Sequence, residues 1–170
     1  REHPPGFRWQ HEGFGSNFRL TEMQAAIGRV QLRKLDDWVA ARRRNAAALV
    51  AGLQGVPALR VPVPPAHIVN SYYRVYAQID PAGLREGWDA LRVIEAISRE
   101  GIPCQQGGCS EIYRERAFVD AGLAPAKPLP VAARLGDTSM VFLVHPTLAE
   151  SDMRDAAQAV AKVMRAAARA

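Results

Sequence analysis

The chain has 170 residues, 48% hydrophobic and 23% charged, a balance that suits one compact unit able to bury a core. Its longest strongly apolar run, Met140 to Val144, falls far short of the roughly 20 residues of a membrane-spanning helix, so a membrane protein is excluded. The net charge of +5 raises nucleic acid as a partner, but the cations are nearly all arginine and spread along the chain. Successive residues of Arg42-Arg43-Arg44 point about 100° apart on a helix, so the triplet reads as a solvated helix surface.

From Arg1 to Ser16 the chain is rich in Pro, Gly, His and aromatics without a regular period, and reads as loop. It begins Arg1-Glu2-His3-Pro4-Pro5, with no initiator Met and no basic-then-apolar leader, and is expected to be a fragment. Thr21 and Gln24 form a capping-box signature. Met23, Ala26, Ile27, Val30, Leu35 and Val39 follow at largely helical spacing, predicting one long helix of about 30 residues that stops at Gly52, Gly55 and Pro57.

Val61 and Val63 flank Pro62, which suits an edge strand or an extended arm. Tyr73 to Ile79 alternates as a strand with Val75, Ala77 and Ile79 on one face. A helix is expected from about Glu86 to Glu100, burying Leu91, Ile94 and Ile97 and ended by Gly101. Ile102 to Cys104 reads as a short strand, Gln105 to Gly108 as a turn whose glycines allow positive φ, and Glu111 to Phe118 as a brief helix. Ala124 to Pro130 is loop. Met140 to Val144 is a buried strand, and a last helix carries Met153, Ala156, Val160, Val163 and Met164 on one face. This succession predicts an α+β fold with a small, mainly antiparallel sheet covered by helices.

Cys104 and Cys109 are too few for a disulfide framework and wrongly spaced for common zinc hairpins. They read as two reduced thiols in a cytoplasmic loop, with no metal site. His145 reads as a structural histidine, because no Ser, Cys or carboxylate partner can be assigned to it.

The segment from Gly13 to Gly28, GFGSNFRLTEMQAAIG, carries the most information. Gly15, Asn17, Phe18, Arg19, Leu20, Thr21, Glu22, Gln24, Ala25, Ala26, Ile27 and Gly28 all fit a signature of the DegT-type sugar aminotransferases, which this chain resembles along nearly its whole length. Gly101 to Phe118 and Leu129 to Leu148 resemble segments of one branch of that family. The resemblance implies the C-terminal portion of a fold-type-I enzyme. Residues 1–56 would be a remnant of the large cofactor domain plus the interdomain helix, and residues 57–170 the small domain.

It also implies pyridoxal phosphate bound at a homodimer interface, with Asn17 reaching the cofactor phosphate of the neighbouring subunit. A carboxamide can donate N–H to phosphate, and the loop runs into a helix N-terminus that favours anions; on turn statistics alone, Asn17 would be an ordinary turn residue. Arg19 is a candidate for a second phosphate or substrate contact. Tyr72 and Tyr73 are candidates for substrate contact or for strand packing, and Tyr73 is expected to bind substrate. Gly107-Gly108 stands near the position where many relatives carry a His-Tyr pair lining the substrate pocket.

Lys34, Lys127 and Lys162, the three lysines, do not resemble the family's catalytic lysine, so no catalytic residue is assigned here and the Schiff-base lysine is expected upstream. The parent is expected to be a cytoplasmic transferase of cell-surface polysaccharide or amino-sugar synthesis, taking an amino group from a donor such as glutamate onto a nucleotide-linked keto sugar. A dehydratase of the same family is the alternative. A non-catalytic basic binding module is a third reading, which salt-sensitive binding to arbitrary DNA would favour.

Overall fold

A computed structural model describes residues 12–169; the expected loop at residues 1–11 lies outside them. From Glu12 to Thr21 the chain has no helix or strand. Thr21 then caps α1 (Glu22–Leu32), its hydroxyl accepting the Gln24 N–H at 3.3 Å while the Gln24 side chain accepts the Thr21 N–H at 2.9 Å.

The single long helix expected here is two. α1 ends at Arg33, whose ψ of −17° is followed by −4° at Lys34, and the Lys34 N–H turns back to Gln31 O at 2.9 Å before α2 (Leu35–Leu53) begins. Charge favours the break. Arg29 lies in the last turn of α1 and Asp36 and Asp37 in the first turn of α2, each at the helix end whose dipole it complements. The expected interior side chains Met23, Ile27, Val30 and Leu35 are exposed, and α1 buries none of its residues.

Beyond α2 come β1 (Leu59–Arg60), β2 (Arg74–Ile79), α3 (Ala90–Arg99), β3 (Cys104–Gln106), α4 (Arg116–Asp120), α5 (Pro130–Thr138), β4 (Ser139–Leu143) and α6 (Glu150–Ala167). The sheet order is β1-β2-β4-β3, antiparallel at every junction, with Val75 opposite Phe142 and Cys104 also opposite Phe142. The α+β class and small antiparallel sheet are as expected. β1 is an edge strand that stops before Pro62, and Val61 to Pro64 belong to no helix or strand.

One sheet face, with Val75, Ala77, Ile79, Met140 and Phe142, packs on Leu49 and Leu53 of α2, Val93 and Ile97 of α3, and Met153, Val160 and Met164 of α6. α3 starts four residues later than expected, at its Asp89 cap, and buries Val93 and Ile97 rather than Leu91, which is exposed. Gly52 does not stop α2 but lies within it: a Cβ there would sit 2.6 Å from the Ala157 Cβ, so its absence lets α2 and α6 approach closely. Helix exit falls to Gly55, at φ +73°.

Gly107 and Gly108 do not take positive φ. Gly107 is needed because a Cβ would lie 2.6 Å from the Ser139 Cβ. Cys104 is not in a loop but buried in β3, while Cys109 is half-buried; both are free thiols. Among the described residues no helix is long and apolar enough to cross a membrane, and no cluster of potential metal ligands occurs.

Candidate functional site

The loop before α1 leads directly into the first turn of that helix. The Asn17 Oδ1 accepts the Arg19 backbone N–H at 3.3 Å, a short turn that occupies the carboxamide oxygen. The Nδ2 group is therefore left to donate, beside an N-terminus whose backbone amides favour an anion. Arg19 is exposed, and its guanidinium has no partner among the described residues. These features suit a phosphate group. Two contacts fix the loop to α4: Glu12 pairs with Arg116 at 2.9 Å, and Phe14 meets Phe118 edge-to-face at 5.1 Å between ring centres.

Tyr73 belongs to a second group, and no hydrogen bond, ion pair or ring contact joins it to Asn17 or Arg19. It precedes β2 and is exposed. Its neighbour Tyr72 has a φ of +48°, in the left-handed region that costs a non-glycine residue on the order of 1 kcal/mol or more. Two side chains hold this turn. Asn70 Oδ1 accepts the Tyr72 N–H at 2.7 Å, and Arg42 Nη1 donates to the carbonyls of Tyr72 and Tyr73 at 3.5 and 3.0 Å.

Arg42 is thus not a solvated surface charge. It lies four residues before the buried Ala46 and seven before the buried Leu49, on the inward stripe of α2, and that heptad spacing is the signal by which the sequence could have shown it. Its guanidinium lies 5.8 Å from the centre of the Tyr73 ring, and that of Arg74 lies 5.4 Å from the same ring. Arg74 also donates to Gln105 Oε1 on β3 at 2.9 Å. Tyr73, Arg74 and Gln105, with Tyr76, Gly107 and Gly108, border a hollow of about 340 Å³ on the sheet face away from the core.

Tyr113 donates to the buried Glu111 at 2.6 Å and accepts the Leu129 N–H at 3.0 Å, fixing the start of α5. The carboxylate bond holds the Tyr113 phenol above its ordinary value. His145 plays a local part: its Nδ1 contacts Thr147 Oγ1 at 2.8 Å, while its carbonyl and that of Leu148 accept from the buried Asn45 at 3.0 and 2.9 Å.

All three lysines are exposed, without the burial that activates a nucleophilic amine. Lys34 is exposed beside the Trp38 ring, Lys127 is exposed in a loop, and Lys162 pairs with Glu100 at 2.6 Å. Asn17 and Arg19 present N–H donors that can meet an anion.

Comparison with known proteins gives the frame. The pattern of the DegT/DnrJ/EryC1/StrS aminotransferase family matches residues 2–161. The chain is 35% identical to an L-glutamine:2-deoxy-scyllo-inosose aminotransferase of Streptoalloteichus tenebrarius, an alignment covering 91% of this chain and 40% of that protein. It is also 38% identical over 72 residues to a dTDP-4-dehydro-2,6-dideoxy-D-glucose 3-dehydratase of Saccharopolyspora spinosa, covering 41% of this chain and 16% of the relative. An aminotransferase from Psychrobacter cryohalolentis superposes with a TM-score of 0.80 at 40% identity, covering 98% of this chain and 44% of that one. The chain thus spans about two fifths of the length of the curated relatives that it matches over about nine tenths of its own residues.

Proposed function

The chain belongs to the DegT/DnrJ/EryC1/StrS aminotransferase family, and from that premise we propose that it is the C-terminal portion of an enzyme transferring an amino group to a nucleotide-linked keto sugar. Family members depend on pyridoxal phosphate, which supplies an electron sink for amino-group chemistry when bound. The observation that carries the proposal for this chain is the Asn17 turn. Its oxygen is held by the Arg19 N–H, so its N–H groups remain for the cofactor phosphate at the mouth of α1. Arg19 and Tyr73 are assigned to substrate.

In this reading residues 1–56 end the large domain and residues 57–170 form the small one. The lysine lies in another part of the protein, the amino donor is glutamate or a close analogue, and two copies pair in the cytoplasm so that Asn17 serves the neighbouring active site. The chain alone is inactive. A sugar dehydratase is the second reading, supported by the 72-residue likeness to the Saccharopolyspora spinosa enzyme. A lysine in the cofactor-facing position of the longer protein supports transfer, and a histidine there supports dehydration.

The test is Asn17→Ala in the longer protein. One hydrogen bond to a charged group contributes roughly 1.5–3 kcal/mol, so cofactor affinity falls by about tenfold or more. Equilibrium dialysis reads this directly, and an unchanged affinity removes Asn17 from the site.

A further inference from the structure

We propose that Phe118 and Arg116 of α4 are positioning residues for the loop that carries Asn17 and Arg19, a clamp that keeps the Asn17 carboxamide ready for an anion. That the anion is a cofactor phosphate rests on the function proposed above; that the loop is clamped does not. Residues 12–20 are exposed and belong to no helix or strand, so burial does not dictate their conformation. The turn at Asn17 is local, joining only residues 17 and 19. Two contacts reach the loop from far along the chain. Arg116 Nη1 donates to Glu12 at 2.9 Å, and the Phe118 ring meets Phe14 edge-to-face at 5.1 Å. They grip the loop shortly before Asn17, while the Thr21 cap of α1 holds it from the other side.

The clamp is itself anchored. α4 buries Ala117, and the segment before it is tied to α5 twice: Ser110 Oγ donates to the Ala132 carbonyl at 2.6 Å, and the Leu129 N–H donates to the Tyr113 hydroxyl at 3.0 Å. α5 runs without a break into β4, an inner strand of the sheet. Through α4 and α5 the loop is thus fixed relative to the sheet. The Arg116 guanidinium is steadied along α4 by Asp120 at 3.7 Å.

The two contacts are unequal. An ion pair whose partners are both about half exposed is screened by water and salt and contributes little. The ring pair keeps its attraction in both. Phe118 is therefore the main positioning residue and Arg116 the lesser one. A loose loop presents Asn17 in the competent geometry for only part of the time, and apparent affinity falls by that fraction. Ordering the loop beforehand removes that loss.

Backbone relaxation of this chain, measured by amide NMR, reads the clamp without cofactor or turnover. Phe118→Leu and, separately, Phe14→Leu should loosen residues 13–19 and leave residues 45–53 and 153–164 as they were; Phe14 is 63% exposed, so its replacement leaves the core untouched. Phe118→Tyr keeps the ring and should keep the order. In the longer protein, equilibrium dialysis of pyridoxal phosphate should show affinity falling about threefold to tenfold in either leucine variant. Arg116→Gln should have a smaller effect that vanishes at high salt. Asn17→Ala combined with Phe118→Leu should bind little worse than Asn17→Ala alone, because the clamp acts through that residue. Unaltered loop motion in both leucine variants, a loosened loop with undiminished affinity, or full additivity in the double variant would each overturn the proposal. Loss of affinity in Asn17→Ala but in neither leucine variant leaves the phosphate reading standing without the clamp. Unchanged affinity in Asn17→Ala strikes the phosphate reading itself, and relaxation of the isolated chain then still decides whether the loop is clamped.

Discussion

Arg42 and Asn45 show how much a single position can hide. Arg42 reads from sequence as part of a solvated helix surface, and Asn45, three residues on, is buried with its carboxamide joining α2 to the turn after β4. Their helical spacing to Leu49, seven residues for Arg42 and four for Asn45, was visible. Their partners were not, because those are backbone carbonyls brought near by the fold from about 30 and 100 residues away. The cysteines divide in the same way. Cys104 faces Met140 in the core, and burial pushes its thiol up to about 12 from 9.0. It therefore stays protonated at pH 8, and iodoacetamide should label Cys109 in the native chain while Cys104 reacts only after unfolding. Rapid native labelling of Cys104 would contradict its burial. Linkage gives the matching pH dependence: folding favours the protonated thiol, so this contribution is complete below pH 9 and is lost as pH rises toward 12.

At the scale of elements, period and caps were legible where one face packs on the core. β2 and α6 bury the side chains that their alternation and helical spacing indicate, and the Thr21 capping box forms as read. The break between α1 and α2 was less so, since apolar spacing runs across it; the basic-to-acidic change from Arg33-Lys34 to Asp36-Asp37 was the overlooked sign. Gly52 was misread because a glycine near a helix end signals a stop, and only the packed structure shows Ala157 in the way of a side chain. In an open helix Gly→Ala stabilises by about 1 kcal/mol, whereas forcing a methyl into a filled contact costs about 1–3 kcal/mol. The contact at 2.6 Å favours the second effect. Gly52→Ala should therefore lower the chemical-denaturation midpoint, and adding Ala157→Gly should recover more than the two single changes sum to. A more stable Gly52→Ala protein would contradict close packing of α2 on α6.

For the whole molecule, the resemblance is what assigns the loop before α1 a proposed phosphate contact, while the composition of that loop alone describes only a turn. The second half of α2 was legible as core. The surroundings of α1 were not, because a periodic apolar face announces burial without naming what covers it. Met23 is 77% exposed and Ile27 61%. An 11-residue helix without buried side chains is marginal in water. Hydrogen exchange on the isolated chain should accordingly find residues 22–32 weakly protected and residues 45–53 and 153–164 strongly so; equal protection would mean that α1 is covered.

The central claim, that this chain contributes the phosphate and substrate contacts of an aminotransferase whose lysine lies elsewhere, is tested by covalent mapping. The longer protein is loaded with pyridoxal phosphate, reduced with borohydride and digested, and the modified peptide is identified by mass spectrometry. The account predicts one lysine labelled to completion outside these 170 residues, with Lys34, Lys127 and Lys162 untouched beyond trace adducts. Stoichiometric labelling of any of those three would contradict it.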